Sequence, residues 1–155
     1  MRLKRLSFYI VLPWLYLLAY MPLPLLYALS TGVYVLLYRV LGYRKAVVWQ
    51  NLSRAFPELP EKERRALMGR FYRYLCDLLL ETFQTLRFSP KEAQARCRFA
   101  DSTVLDTLAA QGRSCIIVMG HYGNWEWGGN AMSLLGTHQL YVVYHPLSHQ
   151  GFNRF

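Results

Sequence analysis

One short run of the sequence has residue types that could transfer a proton. In residues 120–126, GHYGNWE, the imidazole of His121 lies five positions before the carboxylate of Glu126. On one continuous helix this offset turns the two side chains about 140° apart, so they could not touch. If His121 instead lies in a glycine-containing turn and Glu126 in the first turn of a helix, the imidazole can fold back onto the carboxylate. Glu126 would then accept a hydrogen bond from one ring nitrogen, which leaves the other nitrogen free to act as a general base.

The same run offers a site for negative charge but no nucleophile of its own. Neither serine nor cysteine lies within it, so a base here would activate a hydroxyl on an acceptor molecule. Backbone N–H groups around Asn124 and Trp125 could hold a developing oxyanion, because a helix N-terminus favours anions. Spacing alone leaves the alternative that His121 is a structural histidine at a strand end. Trp125 and Trp127 could equally pack in a core or against lipid rather than on a substrate.

The hydropathy pattern around this run predicts the elements that position it. Residues 114–119, SCIIVM, are apolar and β-branched, which predicts a buried strand, and residues 140–144 predict a second one. The stretch between them is compatible with a helix. Strand, helix and strand in this order make a right-handed βαβ unit, so we expect a parallel sheet and an α/β fold. Reactive groups gather at the carboxyl ends of such strands, where His121 follows the first strand and Tyr144 and His145 end the second.

Four segments before the first strand predict helices. Residues 43–59 are basic with apolar side chains at helical spacing, which fits either a surface helix or an interfacial helix in contact with lipid phosphates. Residues 61–88 predict a long amphipathic helix. Two shorter helices follow, one from a capping box in Ser89-Pro90-Lys91-Glu92 and one from Asp101 or Ser102 to Gly112.

Two acidic side chains in the long amphipathic helix allow two interpretations. Asp77 and Glu81 lie four positions apart, on one helix face. They could form a catalytic carboxylate pair. Alternatively, they could belong to a polar face that pairs with Arg73 or another basic neighbour.

The N-terminal region has the composition of a membrane anchor. No charged residue occurs in the 33 positions between Arg5 and Arg39. Because prolines interrupt this stretch and basic residues flank both ends, a bent hairpin or a helix lying in the inner leaflet fits it better than one straight span. A secretory signal is disfavoured, since the run is too long and no clean cleavage site follows it. A pair of soluble core helices remains the other alternative. We therefore expect residues 1–42 to be an anchor and residues 43–155 a separate functional part.

Composition and charge indicate which class of partner the chain binds. Hydrophobic residues make up 54% of the chain and charged residues 17%, which excludes disorder, and the formal charge is +9. No acidic residue precedes Glu58, so the basic residues that bracket the apolar stretch are unopposed; they are Arg2, Lys4, Arg5, Arg39, Arg44, Lys45 and Arg54. This pattern predicts contact with an anionic membrane surface rather than with nucleic acid, for which no phosphate-binding loop is present.

The residue pattern gives little support for a metal-binding site. His138, His145, His149 and Glu126 could suggest zinc, but Pro146 breaks the helix that would align the histidines, and no HExxH or CxxC is present. We predict no metal and no cofactor. Three widely spaced cysteines predict reduced structural thiols on the cytoplasmic side.

Several segments in order carry a resemblance to a known family. An uncharged, proline-broken anchor is followed by YRKAVVWQNLSRAFPEL, FYRYLCDLLLETF, IIVMGHYGNWEWGG and VVYHPL. This series resembles the lysophospholipid acyltransferase superfamily, and within it the lauroyl and myristoyl acyltransferases of bacterial lipid A biosynthesis. The resemblance implies that His121 is the general base and Glu126 its partner. It also implies that Tyr144, His145 and Pro146 lie near the acceptor pocket. We further expect Gly123 and Asn124, in the turn between His121 and Glu126, to contact substrate.

The function that the resemblance implies is transfer of a fatty acyl chain to a lipid. The donor would be an acyl-carrier-protein or coenzyme A thioester, and the acceptor a hydroxyl of a lipid A precursor, at the cytoplasmic face of the bacterial inner membrane. Another lipid acceptor (a lysophospholipid, glycolipid or aminoacyl lipid) and a non-catalytic, membrane-anchored remnant are the alternatives. Since family members continue for about as long again and two strands are too little sheet for a core, we expect residues 43–155 to be the N-terminal part of a catalytic domain.

Overall fold

Helices dominate this computed structural model, which describes the backbone of residues 2–143 and the side chains of residues 9–143. Besides seven α-helices, the described residues contain a π-helical turn, Val35–Val40, and a 3₁₀ turn, Gln84–Arg87, each of which directly extends an α-helix. The seven α-helices of the described residues are α1 Arg2–Tyr20, α2 Leu23–Tyr34, α3 Lys45–Ala55, α4 Glu61–Phe83, α5 Pro90–Arg96, α6 Thr103–Ala110 and α7 Trp125–Leu135.

The helices belong to two compact units. Residues Tyr20–Phe83 form one unit, and the first helix groups with the residues from Gln84 onward in the other. The predicted division into an anchor, residues 1–42, and a catalytic part, residues 43–155, is a functional one and stays a prediction.

In the unit Tyr20–Phe83, α2 and its π-helical extension pack against α4. The buried core consists of Tyr34, Met68, Tyr72 and Cys76. The ring of Tyr38 stacks on both Tyr34 and Tyr72, with centroid separations of 5.4 and 4.9 Å. Stacking of this kind adds to the burial of apolar area, so these tyrosines hold the two helices in one register.

Two hydrogen bonds to carboxylates join the same two helices. Ser30 Oγ donates to Asp77 Oδ1 at 2.5 Å, and Tyr27 Oη donates to Glu81 Oε1 at 2.5 Å. The guanidinium of Arg73 lies over the ring of Tyr34, 4.9 Å from its centroid. The polar face predicted for Asp77 and Glu81 is therefore occupied by hydroxyls of α2, and these carboxylates serve the packing of α4.

In the second unit, local sequence signals set the helix ends. Ser89 Oγ accepts a hydrogen bond from the Glu92 N–H at 3.3 Å, and Glu92 Oε2 accepts one from the Ser89 N–H at 3.3 Å, which confirms the predicted capping box. Before α6, Asp101 Oδ1 accepts from the Thr103 N–H at 2.8 Å, and its bonds to Thr103 lower the pKa of the Asp101 carboxyl. After α6, Gly112 has φ 64°, the left-handed conformation in which glycine commonly ends a helix.

The predicted sheet is not seen in the part of the chain that the structure describes. Residues 114–119 contain no strand, and Ile116 and Val118 are 92% and 90% exposed. The second predicted strand, residues 140–144, is not formed over residues 140–143, and Tyr144 lies outside the described residues. The physical reason is that a strand is stabilised by hydrogen bonds to a neighbour, and an extended segment without one leaves its backbone groups to water. The described residues are therefore mostly helical, and the predicted sheet, with the α/β fold that it would make, stays a prediction.

The N-terminal region is broken where prolines predict it. The helix α1 ends at Tyr20 and α2 begins after Pro22, whereas Pro13 lies within α1 without ending it. Among the described residues, Leu23–Val40 is long and apolar enough to cross a membrane, by length and composition alone, and Tyr9–Tyr20 is a shorter apolar helix. This composition is compatible with the predicted anchor.

Candidate active site

The turn before α7 positions the residues with proton-transfer chemistry. Gly123 has φ 65°, which a residue with a side chain rarely adopts. Asn124 follows as the N-cap, and its Oδ1 accepts a hydrogen bond from the Trp127 N–H at 3.0 Å. Trp125 is consequently the first residue of α7, and Glu126 lies in the first turn of the helix. This arrangement is the turn followed by a helix start that the residue pattern predicts.

His121 lies in the turn, where its ring is stacked on an indole. The imidazole of His121 and the ring of Trp125 have centroids 4.7 Å apart and planes inclined by only 7°. His121 is exposed, whereas Trp125 is half-buried. The turn is tight, since the Tyr122 N–H donates to the Gly120 carbonyl at 2.9 Å. The ring of His121 is therefore held by its face, with its edges facing outward from the stack.

Glu126 occupies the first turn of α7 and is half-buried. Its carbonyl oxygen accepts a hydrogen bond from Asn130 Nδ2 at 2.8 Å. Within the described residues, no hydrogen bond joins its carboxylate to the imidazole of His121, so their pairing stays a prediction. A carboxylate in this turn also interacts favourably with the helix dipole.

The first residues of α7 present hydrogen-bond donors. The N–H groups of Trp125 and Glu126 have no acceptor among the described residues, as is usual for the first turn of a helix. Asn124, predicted to contact substrate, uses its side-chain oxygen for the cap. Gly123 lies one residue before it, and the substrate-binding role of both stays a prediction. The other predicted acceptor residues, Tyr144, His145 and Pro146, lie outside the described residues.

A cluster that the sequence pattern did not indicate supports the first turn of α7. Arg96, at the end of α5, places its guanidinium 4.5 Å from the centroid of the Trp127 ring and donates to Gln84 Oε1 at 2.5 Å. Gln84 is 1% exposed, and Phe88 lies 5.8 Å from Trp127 between ring centroids. Trp127 is therefore a packing residue here. A basic residue in the last turn of a short helix could have indicated Arg96, but its partners are distant in sequence.

An apolar cavity of ≈ 130 Å³ lies toward the other end of α7. Its lining includes Leu105, Ile117, Met132, Leu135 and Leu140. Met132 is six residues beyond Glu126, about 9 Å along the helix axis. The cavity is therefore distinct from the turn that holds His121.

Comparison with known proteins gives two matches. The pattern of a family described as bacterial lipid A biosynthesis acyltransferase matches residues 1–154. The lipid A biosynthesis lauroyltransferase of Escherichia coli (strain K12) is 25% identical over 120 residues, which cover 77% of this chain and 39% of that protein. The chain thus spans about two fifths of the length of this curated relative. No solved structure matches.

Proposed function

The chain belongs to the bacterial lipid A biosynthesis acyltransferase family, and from this premise we propose that it acts in O-acyl transfer at a membrane. The donor is an acyl-carrier-protein thioester and the acceptor is a hydroxyl of a lipid A precursor. The observation that carries the proposal is the local frame of the site. Gly123 and the Asn124 cap place His121 outside α7 and Glu126 in its first turn, as a base and its partner require.

In the proposed reaction, His121 is the general base. Its free ring nitrogen takes the proton of the acceptor hydroxyl while that oxygen attacks the thioester carbonyl carbon. A carbon–oxygen bond forms, the carbon–sulfur bond breaks, and the imidazolium returns the proton to the departing thiolate. Glu126 accepts a hydrogen bond from the other ring nitrogen and stabilises the imidazolium. The N–H groups of Trp125 and Glu126, which begin α7, stabilise the oxyanion of the tetrahedral intermediate.

Cationic side chains beside the apolar helix support the proposed membrane surface. Lys45 Nζ lies 4.4 Å and the Arg39 guanidinium 5.4 Å from the centroid of the Tyr38 ring. The neighbouring Leu41 is 63% exposed. Cations and exposed apolar side chains next to Leu23–Val40 suit a layer of anionic headgroups. We place this surface at the cytoplasmic face of the bacterial inner membrane.

The predicted sheet belongs to the same proposal. Residues 114–119 are apolar and largely exposed, which is unfavourable unless they are covered by other chain segments. Paired with further strands, they would carry His121 at the carboxyl end of a strand, the usual place for reactive groups in parallel sheets.

The test of the base is a substitution at His121. In membranes from cells that express the protein, transfer of a radiolabelled acyl chain from acyl carrier protein to a lipid A precursor is measured for His121→Ala and for His138→Ala. The second histidine is the matched control, since its ring contacts the Arg113 carbonyl away from the turn. We expect His121→Ala to lower turnover by about 10²- to 10⁴-fold, the usual contribution of general base catalysis. Activity within a few-fold of the unsubstituted protein would show that His121 is not the base.

The acceptor is tested separately in the cell. Deletion of the gene should remove one acyl chain from lipid A, as measured by mass spectrometry of lipid extracts. Unchanged lipid A together with a change in another lipid would assign the activity to a different acceptor.

A further inference from the structure

We propose that Trp125 is a positioning residue for His121, and this inference rests on the proposed function of His121 as general base. The two rings are nearly parallel, with planes inclined by 7° and centroids 4.7 Å apart. This separation is within the range of stabilising aromatic stacks. The indole holds the imidazole by its face, so that both ring nitrogens, which lie on the edge, stay available for Glu126 and the acceptor.

The position of Trp125 in the fold suits this role. Trp125 begins α7, and the Asn124 cap and the Gly123 turn fix the backbone on either side of the stack. The indole is half-buried while the imidazole is exposed. Within the described residues, no hydrogen bond, ion pair or second ring contact of the His121 side chain accompanies the stack. Without it, the exposed imidazole would rotate among its rotamers, and the base would spend less time in a productive orientation.

The stack also has an electrostatic consequence for the reaction. When the base takes the proton, the imidazole becomes a cation that lies over the face of an indole, the most favourable aromatic surface for a cation. The attraction is stronger for the charged ring than for the neutral one. Trp125 therefore also presents a favourable aromatic face to the charged ring that forms during the proposed reaction.

Trp127 provides a matched comparison two residues further along. Two residues rotate a side chain by about 200° around the helix, so the two indoles face in different directions. Trp127 lies 4.5 Å from the Arg96 guanidinium and packs with Phe88. It shares the chemistry and the helix turn of Trp125 without a contact to His121.

The stack itself is tested by NMR on the full chain in detergent micelles. An indole over the imidazole shifts the His121 ring protons upfield, and their signals are identified by their loss in His121→Asn. We expect Trp125→Leu to remove the upfield shift and Trp127→Leu to retain it. Persistence of the shift in Trp125→Leu would overturn the proposal, because another ring would then produce it.

The positioning role is tested by kinetics in the acyl-transfer assay. We expect Trp125→Leu to lower kcat roughly 10-fold to 100-fold, the order expected when a catalytic group is misplaced, with little change in KM. Trp125→Phe keeps an aromatic face and should recover kcat to within about 5-fold of the unsubstituted protein, since phenylalanine is a weaker cation-binding ring than tryptophan. Circular dichroism confirms that each variant is folded.

The outcomes separate this inference from the proposed function. If Trp125→Leu loses the ring-current shift but retains its kcat, Trp125 does not position the base, although a large loss of turnover in His121→Ala still supports the base. If His121→Ala is active, the proposed base is wrong, and the positioning role falls with it even if the stack is present. Equal losses of kcat in Trp125→Phe and Trp125→Leu would also overturn the proposal, because stacking would then not be the relevant property.

Discussion

Substitution of Ser30 tests how much the hydrogen bond between Ser30 and Asp77 stabilises the packing of α2 against α4. Ser30 is 1% exposed, and its hydroxyl donates to the Asp77 carboxylate at 2.5 Å across the two helices. Ser30→Ala removes the donor without adding bulk, and Asp77→Ala removes the acceptor. The two single variants and the double variant together isolate the coupling between the side chains.

The magnitude follows from the burial of the two groups. A hydrogen bond to a charged group contributes about 1.5–3 kcal/mol to stability. Asp77 is only half-buried, so water replaces part of the lost interaction. We therefore expect a coupling free energy of about 1–2 kcal/mol, which is a factor of roughly 5 to 30 in the unfolding equilibrium.

The measurement is reversible urea unfolding in detergent micelles, followed by circular dichroism, for the complete cycle. Thr31→Ala is the matched control, since Thr31 is the next residue, is exposed and donates only to the Tyr27 carbonyl of its own helix. It should change the free energy of unfolding by less than about 0.5 kcal/mol. A coupling below about 0.3 kcal/mol between Ser30 and Asp77, within the usual additivity error, would refute the reasoning.

Three further predictions concern particular side chains. Cys76 is buried, and this burial, followed by the neighbouring Asp77 carboxylate, raises the pKa of the Cys76 thiol. At mildly alkaline pH a maleimide should therefore label Cys76 only after unfolding, as mass spectrometry of peptides would show. Arg96→Ala should lower the free energy of unfolding by about 1–3 kcal/mol because it removes the charged donor to the buried Gln84 side chain. Arg98→Ala, at an exposed position, should change it by less than about 0.5 kcal/mol, and equal effects of the two substitutions would contradict this reasoning. Gly123→Ala should lower the free energy of unfolding by roughly 1–2 kcal/mol, because alanine is strained at the left-handed φ of this position. An added Cβ would meet no atom within 4 Å, so no steric clash adds to this cost. An unchanged free energy of unfolding would show that the turn adopts another conformation.

Local signals in the sequence predict local features well. The capping box of Ser89 and Glu92 is formed as expected, because both hydrogen bonds lie within one helical turn. The break at Pro22 is likewise a property of one residue, which lacks the N–H that a continuing helix needs. Pro13 shows the complementary case, in which the surrounding apolar helix continues in spite of the proline.

Features that depend on distant partners are predicted less well. Residues 114–119 have the composition of a strand, but a strand forms only against a neighbour, and the described residues supply none. Charge alone suggested Arg73 or another basic neighbour as the partner of Asp77. The actual partner, Ser30, depends on the register in which α2 lies along α4, and no pattern of neighbouring residues encodes that register.

The candidate site depends both on local interactions and on contacts between residues that are distant in sequence. The turn at Gly123, the cap at Asn124 and the stack on Trp125 all lie within a few residues of His121, so short-range interactions set the orientation of the His121 ring. The support beneath α7 is different, since Arg96 reaches Trp127 from another helix. A substitution at Arg96 should therefore reduce the free energy of unfolding while the stack on His121 persists, whereas a substitution at Trp125 should remove the stack while the free energy of unfolding changes little. This separation is expected because Trp125 and Trp127, which contact His121 and Arg96, lie on different faces of the same first turn.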